Sequence, residues 1–135
     1  MADVVHAFAV PIHPSSVGLA RTELRDVLRP AAQPVALVED AVLVLSELVA
    51  NALSHARPTR TDDIGVEVRL VGDRLHVAVT DGGSDSVPEI VPGPGVRPSG
   101  RGLFLVDALS DRWWWEPAEH GRTVRAELRC PAAAE

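Results

Sequence analysis

The stretch from Val35 to Ala56, VALVEDAVLVLSELVANALSHA, constrains the fold most, because it predicts one long helix that is apolar on almost every side. The stretch contains no Gly or Pro, and Pro34 precedes it, which is typical of a helix start. A helix that is apolar nearly all round belongs in the middle of a domain. We therefore expect the rest of the chain to pack around this helix.

Five polar residues on this helix fall within roughly 100° of one another at about 100° per residue: Asp40, Glu47, Asn51, Ser54 and His55. Buried carboxylates and amides are costly unless they are paired or bound to something, so the stripe predicts a cleft. The simpler alternative is a stripe that faces solvent. Glu47 and Asn51 are four residues apart and would project together in either case.

The composition limits the class of protein. With 135 residues, of which 46% are hydrophobic, the chain predicts a single folded domain over residues 1–135. The net charge of −6 disfavours a nucleic-acid partner. All 13 basic residues are Arg, and the lack of Lys excludes a Walker A P-loop and Schiff-base chemistry.

Further limits come from the cysteine count and the N-terminal segment. Cys130 is the single cysteine, so an internal disulfide and a multi-cysteine metal site are excluded. The first residues, MADVVHAFAVPIHP, do not have the pattern of a signal peptide, and the sequence has no charge-free run long enough for a membrane span. We expect a cytoplasmic protein with no membrane contact.

Hydrophobic periodicity and turn residues predict the order β-α-α-β-β-loop-α-β-β. The predicted strands are His6–Ile12, Ile64–Val71, Arg74–Thr80, Trp113–Glu116 and Thr123–Arg129. Besides the central helix, the predicted helices are Val17–Leu28 and Leu103–Leu109, and a Pro- and Gly-rich loop covers Ser84–Ser99. This order predicts an α+β sandwich with helices on one face of a sheet.

Glu47 and Asn51 form the first cluster of chemical interest. An Asn side-chain oxygen is a hard ligand suited to Mg²⁺, which keeps several waters and binds through phosphates. A neighbouring carboxylate can accept a proton from a nucleophile. The Glu-x-x-x-Asn spacing also occurs by chance on many helices.

The second cluster is Asp81-Gly82-Gly83, directly after a predicted strand. A carboxylate at this place can accept a hydrogen bond from an exocyclic amine such as that of adenine. Gly83 would let a flat ring approach the backbone. The alternative is an ordinary turn, because Asp-Gly is a common turn pair.

The third cluster is Gly100-Arg101-Gly102, which we expect to open the short helix that follows the loop. Backbone N–H groups at a helix N-terminus bind phosphate, and Arg101 adds positive charge. The alternative is a pair of glycines that only end the loop. Near the C-terminus, Gly121-Arg122-Thr123 supplies a hydroxyl and backbone amides, or merely starts a strand.

The order of these segments is more specific than any of them alone. ELVANALSHA, VTDGG, the loop, SGRGLFLVDALSD and GRTVRAEL together resemble the GHKL ATPase superfamily, and within it the anti-sigma-factor serine kinases. The resemblance runs from the first strand to Leu128. It implies a Bergerat-type two-layer sandwich, a mixed but mostly antiparallel sheet with helices on one face, and ATP bound between the layers.

The resemblance also implies roles for individual residues. It assigns Mg²⁺ binding to Asn51, the general base to Glu47 and the recognition of the adenine amino group to Asp81. It assigns nucleotide contacts to Gly83, Gly100, Gly102 and Thr123, and the charge of Arg101 adds that residue as a candidate contact. The partners implied are an antagonist protein of the STAS type, whose serine is phosphorylated, a sigma factor, and a second copy of the chain in a homodimer, with no direct contact to nucleic acid.

The sequence departs from the family pattern at Asp85, where many relatives have the second glycine of an Asp-x-Gly-x-Gly motif. This carboxylate either weakens nucleotide binding or faces solvent. A second hypothesis is therefore a module that sequesters a partner without phosphotransfer. A third, the detached catalytic domain of a histidine kinase, is disfavoured because no helical segment with a phospho-acceptor histidine precedes the domain.

Two other patterns leave alternatives open. Arg21, Arg25 and Arg29 are spaced four apart, which is typical of a solvated basic row or of a surface for an acidic partner. In a strand, Trp113 and Trp115 face one side and Trp114 the other. One side packs in the core, and a tryptophan on the helix-free face of the sheet would suit a dimer or partner contact.

Overall fold

In the computed structural model, the described residues are 3–55, 63–82, 98–118 and 121–130. Their order of elements is β-α-α-β-β-α-β-β, as the sequence predicts. The strands are β1 (Val4–Pro11), β2 (Asp63–Val71), β3 (Arg74–Asp81), β4 (Arg112–Ala118) and β5 (Gly121–Arg129). The helices are α1 (Ser16–Leu28), α2 (Val35–His55) and α3 (Pro98–Leu109), with a short 3-10 turn at Arg29–Ala31.

The described strands form one sheet in the order β1-β2-β3-β5-β4. All four pairings are antiparallel, whereas the resemblance implied a mixed but mostly antiparallel sheet. The β2-β3 hairpin turns at Gly72, whose φ of 60° is a conformation that glycine adopts without a steric penalty. Because β5 pairs antiparallel with β3, the start of β5 meets the end of β3, and Asp81 lies opposite Arg122.

Helix α2 lies between α1 and α3 and packs on β3, so the prediction of a central buried helix is confirmed. Val44, Leu45 and Val49 on this helix are fully buried. On the sheet, alternate residues of β3 and β5 face the helices, among them Val77 and Ala126, and both are fully buried. The α+β two-layer architecture with helices on one face is confirmed.

Helix α3 begins at Pro98, five residues earlier than the predicted start at Leu103. A proline is favoured in the first turn of a helix, because its φ is already helical and its missing N–H would have no partner there. Gly100, Arg101 and Gly102 therefore lie inside the first turns of α3 rather than before it. No helix among the described residues has the length and apolar character needed to cross a bilayer.

Candidate functional site

The polar stripe of α2 divides into an exposed part and a buried part. Asp40 and Ser54 are exposed, as the solvent-facing alternative requires. Asn51 is only 8% exposed, as the cleft requires, and Glu47 has intermediate exposure. The side chain of His55 lies outside the described residues. The pair at positions 47 and 51 thus spans the border between the outer surface of α2 and the interior.

Glu47 lines a groove of about 450 Å³ between α1 and α2, together with Val17, Arg21 and Leu43. Burial raises the pKa of the Glu47 carboxyl above its ordinary value, because the charged form is less well solvated there. A carboxylate with a raised pKa is a stronger base. The groove leaves the partly exposed Glu47 carboxylate open to an incoming molecule.

Asp81 is the last residue of β3 and is only 3% exposed. It is two residues beyond the core residue Val79 and so lies on the side of the sheet that the helices cover. Asp81 pairs with β5, which excludes a simple exposed Asp-Gly turn at this residue. Gly83, predicted to follow it in the site, lies outside the described residues.

The start of β5 approaches Asp81 so closely that only glycine fits at position 121. A Cβ atom on Gly121 would lie 1.7 Å from the carbonyl oxygen of Asp81 and 2.8 Å from the Cα of Gly82. Real Cβ atoms do not come this close to backbone atoms, so Gly121 has a structural role that its sequence position alone did not reveal. It lets β5 pair with the end of β3 and fixes where the Asp81 carboxylate lies.

Thr123 does not join Asp81 in the structure. It lies next to Val124, whose side chain is in the core, and therefore points to the opposite, helix-free face. There its Oγ1 forms a hydrogen bond of 2.7 Å with Thr80 Oγ1. The residue that shares the face of Asp81 is Arg122, which is 6% exposed.

Arg122 was missed as a candidate although the sequence contained the signal. The inward alternation of Val124, Ala126 and Leu128 continues backwards to position 122. An arginine at an inward position is unusual, because a buried charge is costly unless it is compensated. The resemblance drew attention to the threonine instead.

Gly100, Arg101 and Gly102 occupy the first turns of α3, which packs against α2. Nothing is described of the Arg101 side chain. The first N–H groups of a helix have no partner within the helix and can bind an anion. The fold thus brings the N-terminus of α3, the stripe of α2 and the buried end of β3 to the same side of the sheet.

The described residues contain no group of three His, Cys, Asp or Glu side chains that could hold a metal ion by themselves. Asn51 offers an amide oxygen and Glu47 a carboxylate one turn away. The Asn51 oxygen suits Mg²⁺, which binds few protein ligands and takes the others from phosphates and water.

The three tryptophans divide as the alternation predicts. Trp113 packs against the core, and its Nε1 donates a hydrogen bond of 3.0 Å to Asp107 Oδ1 on α3. Trp115 shares that side, and the Arg122 guanidinium lies 5.7 Å from the centre of its ring. Trp114 lies on the helix-free face, in edge contact with His76.

The predicted basic row of α1 is largely compensated within the chain. Arg25 pairs with Glu39 on α2 at 3.1 Å, and Arg29 pairs with Asp26 at 2.9 Å. Both pairs are well exposed, which favours the solvated alternative for these two positions. Arg21 lies in the groove that Glu47 also lines.

Comparison with known proteins supports the resemblance seen in the sequence. The profile of the histidine kinase-like ATPase domain matches residues 10–128. Serine-protein kinase RsbW of Oceanobacillus iheyensis is 28% identical over 114 residues, which cover 76% of this chain and 72% of that protein. Serine-protein kinase RsbW of Staphylococcus aureus (strain MRSA252) is 29% identical over 115 residues, with the same coverage.

Among solved structures, the RsbU and RsbW domains of Rv1364c from Mycobacterium tuberculosis match with a TM-score of 0.69 and 22% sequence identity. The match covers 93% of this chain and 32% of that one. At this identity the likeness supports the fold alone.

Proposed function

Since the chain belongs to the family of histidine kinase-like ATPase domains, we propose that it binds ATP with Mg²⁺ and transfers the γ-phosphate to a serine of a partner protein. The observation that carries the proposal is the pairing of Glu47 and Asn51 on α2, a helix that packs on the strand ending in the buried Asp81. A base, a Mg²⁺ ligand and a hydrogen-bond acceptor for adenine are the three groups that this reaction needs.

Each residue has a role that its position supports. Asn51 supplies an oxygen ligand to Mg²⁺, and Asp81 accepts a hydrogen bond from the adenine amino group. Gly83 remains proposed from the sequence alone. Gly100, Arg101 and Gly102 contact the phosphates, the glycines through backbone N–H groups of the first turns of α3. Thr123 is left out of the site because its side chain faces the other side of the sheet.

Glu47 acts as the general base. It accepts the proton of the serine hydroxyl while the serine oxygen forms a bond to the γ-phosphorus, and the bond to the β-phosphate oxygen breaks to release ADP. The groove beside Glu47 gives the serine access to the carboxylate. Most of the acceleration in such reactions comes from positioning and from stabilisation of charge.

The relatives carry the name serine-protein kinase, which supports a protein substrate, and the individual partners are proposed from the resemblance to the anti-sigma-factor serine kinases. We propose an antagonist of the STAS type as the phosphorylated protein, a sigma factor as a second partner, and action in the cytoplasm. We also propose a homodimer, with Trp114 on the helix-free face as a candidate contact. Sedimentation equilibrium would contradict that contact if Trp114→Ser left the association of the chain unchanged.

Phosphotransfer is tested with γ-labelled ATP and a panel of STAS-type proteins. We expect the wild-type chain to label a serine of one of them. Glu47→Gln should bind ATP with unchanged affinity while transfer slows by about 10²–10⁴-fold, which is the usual contribution of a general base. Glu67→Gln is the matched control, because it removes a carboxylate from the helix-free face and should transfer at the wild-type rate.

Two results would contradict the proposal in different ways. Transfer at the wild-type rate by Glu47→Gln would show that this residue is not the base. ATP binding without transfer to any protein of the panel would favour a module that sequesters its partner without chemistry.

A further inference from the structure

Asp81 and Arg122 are a buried pair of charged residues at the end of the two strands that meet below the helices. They lie directly opposite each other in the β3-β5 ladder. Asp81 is 3% exposed and Arg122 is 6% exposed. Residues directly opposite in an antiparallel pair have Cβ atoms about 5 Å apart and share a face of the sheet. A donor and an acceptor are therefore fixed side by side.

The two side chains have opposite hydrogen-bonding capacities. An ionised carboxylate only accepts hydrogen bonds, and a guanidinium only donates them. The Watson–Crick edge of adenine presents a donor, the N6 amino group, beside an acceptor, N1. Guanine and hypoxanthine present the reverse, with the acceptor O6 beside the donor N1–H. A neighbouring acceptor and donor in the protein match adenine and oppose the other two purines.

We propose that Asp81 and Arg122 together read the Watson–Crick edge of adenine, with Asp81 accepting from the N6 amino group and Arg122 donating to N1. This inference rests on the proposed nucleotide site and adds Arg122 to it as a residue that determines specificity. It extends recognition from one hydrogen bond to two of opposite direction, which is the arrangement that best rejects an analogue with a reversed edge.

The surroundings hold Arg122 in place for this role. Its guanidinium lies 5.7 Å from the ring of Trp115, which limits its freedom through contact with the aromatic face. Gly121 directly before it allows β5 to lie against the backbone of Asp81. The backbone of both residues is thereby fixed within the sheet, and a rigid strand positions a binding group more precisely than a loop does.

The test is isothermal titration of the full chain with Mg²⁺ and four nucleotides. ATP has both groups of the adenine edge. The triphosphate of 1-deazaadenosine lacks the N1 acceptor and keeps the amino group, purine riboside triphosphate keeps N1 and lacks the amino group, and ITP has the reversed edge. We expect the 1-deaza analogue to bind about tenfold more weakly than ATP, because a hydrogen bond from a charged donor is lost.

Arg122→Met separates recognition from a structural role. In this variant ATP and the 1-deaza analogue should bind equally, while ATP should still bind better than purine riboside triphosphate, since Asp81 is retained. Asp81→Ala should lose the preference for ATP over purine riboside triphosphate and keep the preference over the 1-deaza analogue, because it removes the acceptor and retains Arg122. Arg125→Met is the control, because it removes an arginine of the same strand from the helix-free face and should leave all four affinities unchanged.

Three outcomes would overturn the inference while ATP binding stands. They are equal affinity of the wild type for ATP and the 1-deaza analogue, unchanged discrimination in Arg122→Met, and tighter ATP binding by Arg122→Met, which would mean that the guanidinium blocks Asp81. If Arg122→Met does not fold, the wild-type comparison of the two nucleotides decides alone. Absence of ATP binding by the wild type would overturn the proposed function as well.

Discussion

The helix-free and helix-covered faces of the sheet differ in the number and burial of their charged side chains. On the helix-free face, charged residues are numerous and satisfy one another: Arg125 contacts Glu116 at 2.6 Å and His76 at 3.2 Å, and Arg112 pairs with Glu127 at 3.2 Å. On the helix-covered face, the inward residues of β3 and β5 are apolar until the end of the ladder. There Asp81 and Arg122 appear together, both buried.

This difference shows which charges need a functional explanation. Partly exposed ion pairs such as those of the helix-free face keep a surface soluble and contribute little stability, about 0–1 kcal/mol each. Charges buried at the edge of an apolar layer cost free energy unless something compensates them. Asp81 and Arg122 have opposite charges and lie directly opposite each other in the β3-β5 ladder, which is the arrangement that the proposed adenine site uses.

Gly121→Ala should have the largest effect on the free energy of unfolding, because it disrupts the pairing of β5 with the end of β3 at Asp81. The added Cβ would collide with the carbonyl of Asp81, so the start of β5 must move away from β3. We expect a loss of about 3 kcal/mol in the free energy of unfolding, at the upper end for overpacking. Urea denaturation followed by circular dichroism measures it.

Gly65→Ala is the matched control on the helix-free face. A Cβ at this position would meet the Cβ of Thr80 at 3.7 Å, which is ordinary contact. Its free energy of unfolding should stay close to that of the wild type. Equal losses in the two glycine variants would mean that the close approach at Asp81 is not a special feature of the fold.

Smaller effects on the free energy of unfolding, with opposite trends against pH, are expected in two variants, Glu47→Gln and His76→Gln. Burial raises the pKa of Glu47 in the fold, so the wild type is destabilised as pH rises above the ordinary value of 4.5. Glu47→Gln should therefore gain stability over the wild type at pH 7, and the gain should vanish below pH 4.5.

His76, on the helix-free face, has its pKa lowered by burial and by the neighbouring Arg125. The folded chain therefore loses stability as pH falls below the ordinary value of 6.5 and the ring is protonated. His76→Gln should gain stability over the wild type at pH 5 and lose that gain by pH 8. Urea titrations at pH 4, 5, 7 and 8 measure the free energy of unfolding of both variants. A gain in stability that changes in the same direction with pH in both variants would contradict the opposite pKa shifts of Glu47 and His76.

The sequence predicted those features whose physical signal is local. The span of α2 follows from a long apolar run without Gly or Pro, and the β2-β3 hairpin follows from alternation around Gly72. The order of elements predicted the α+β sandwich, and the family resemblance, confirmed by comparison with known proteins, implied the same two-layer architecture. The start of α3 was missed because Gly100 and Gly102 favour a loop on local grounds, whereas the helix begins with Pro98.

The candidate site was predicted less completely because it depends on strand register. Thr123 was chosen by resemblance, but its neighbour Val124 faces the core and so turns Thr123 away from Asp81. The inward position of Arg122 follows from the alternation of Val124, Ala126 and Leu128. Its place opposite Asp81 and the need for glycine at position 121 become visible only when β5 is paired with β3. The roles of Glu47, Asn51 and Asp81 remain predictions, now with positions that support them.

The most direct test of a nucleotide site on the covered face is an ATP–Mg²⁺ titration followed by the indole N–H signals of the tryptophans in ¹⁵N-labelled protein. Trp115 lies beside Arg122 on the covered side, and Trp114 lies against His76 on the other. We predict that the Trp115 signal shifts and saturates with ATP while the Trp114 signal stays in place. A shift of Trp114 without a shift of Trp115, or no shift of either at millimolar ATP, would contradict the account.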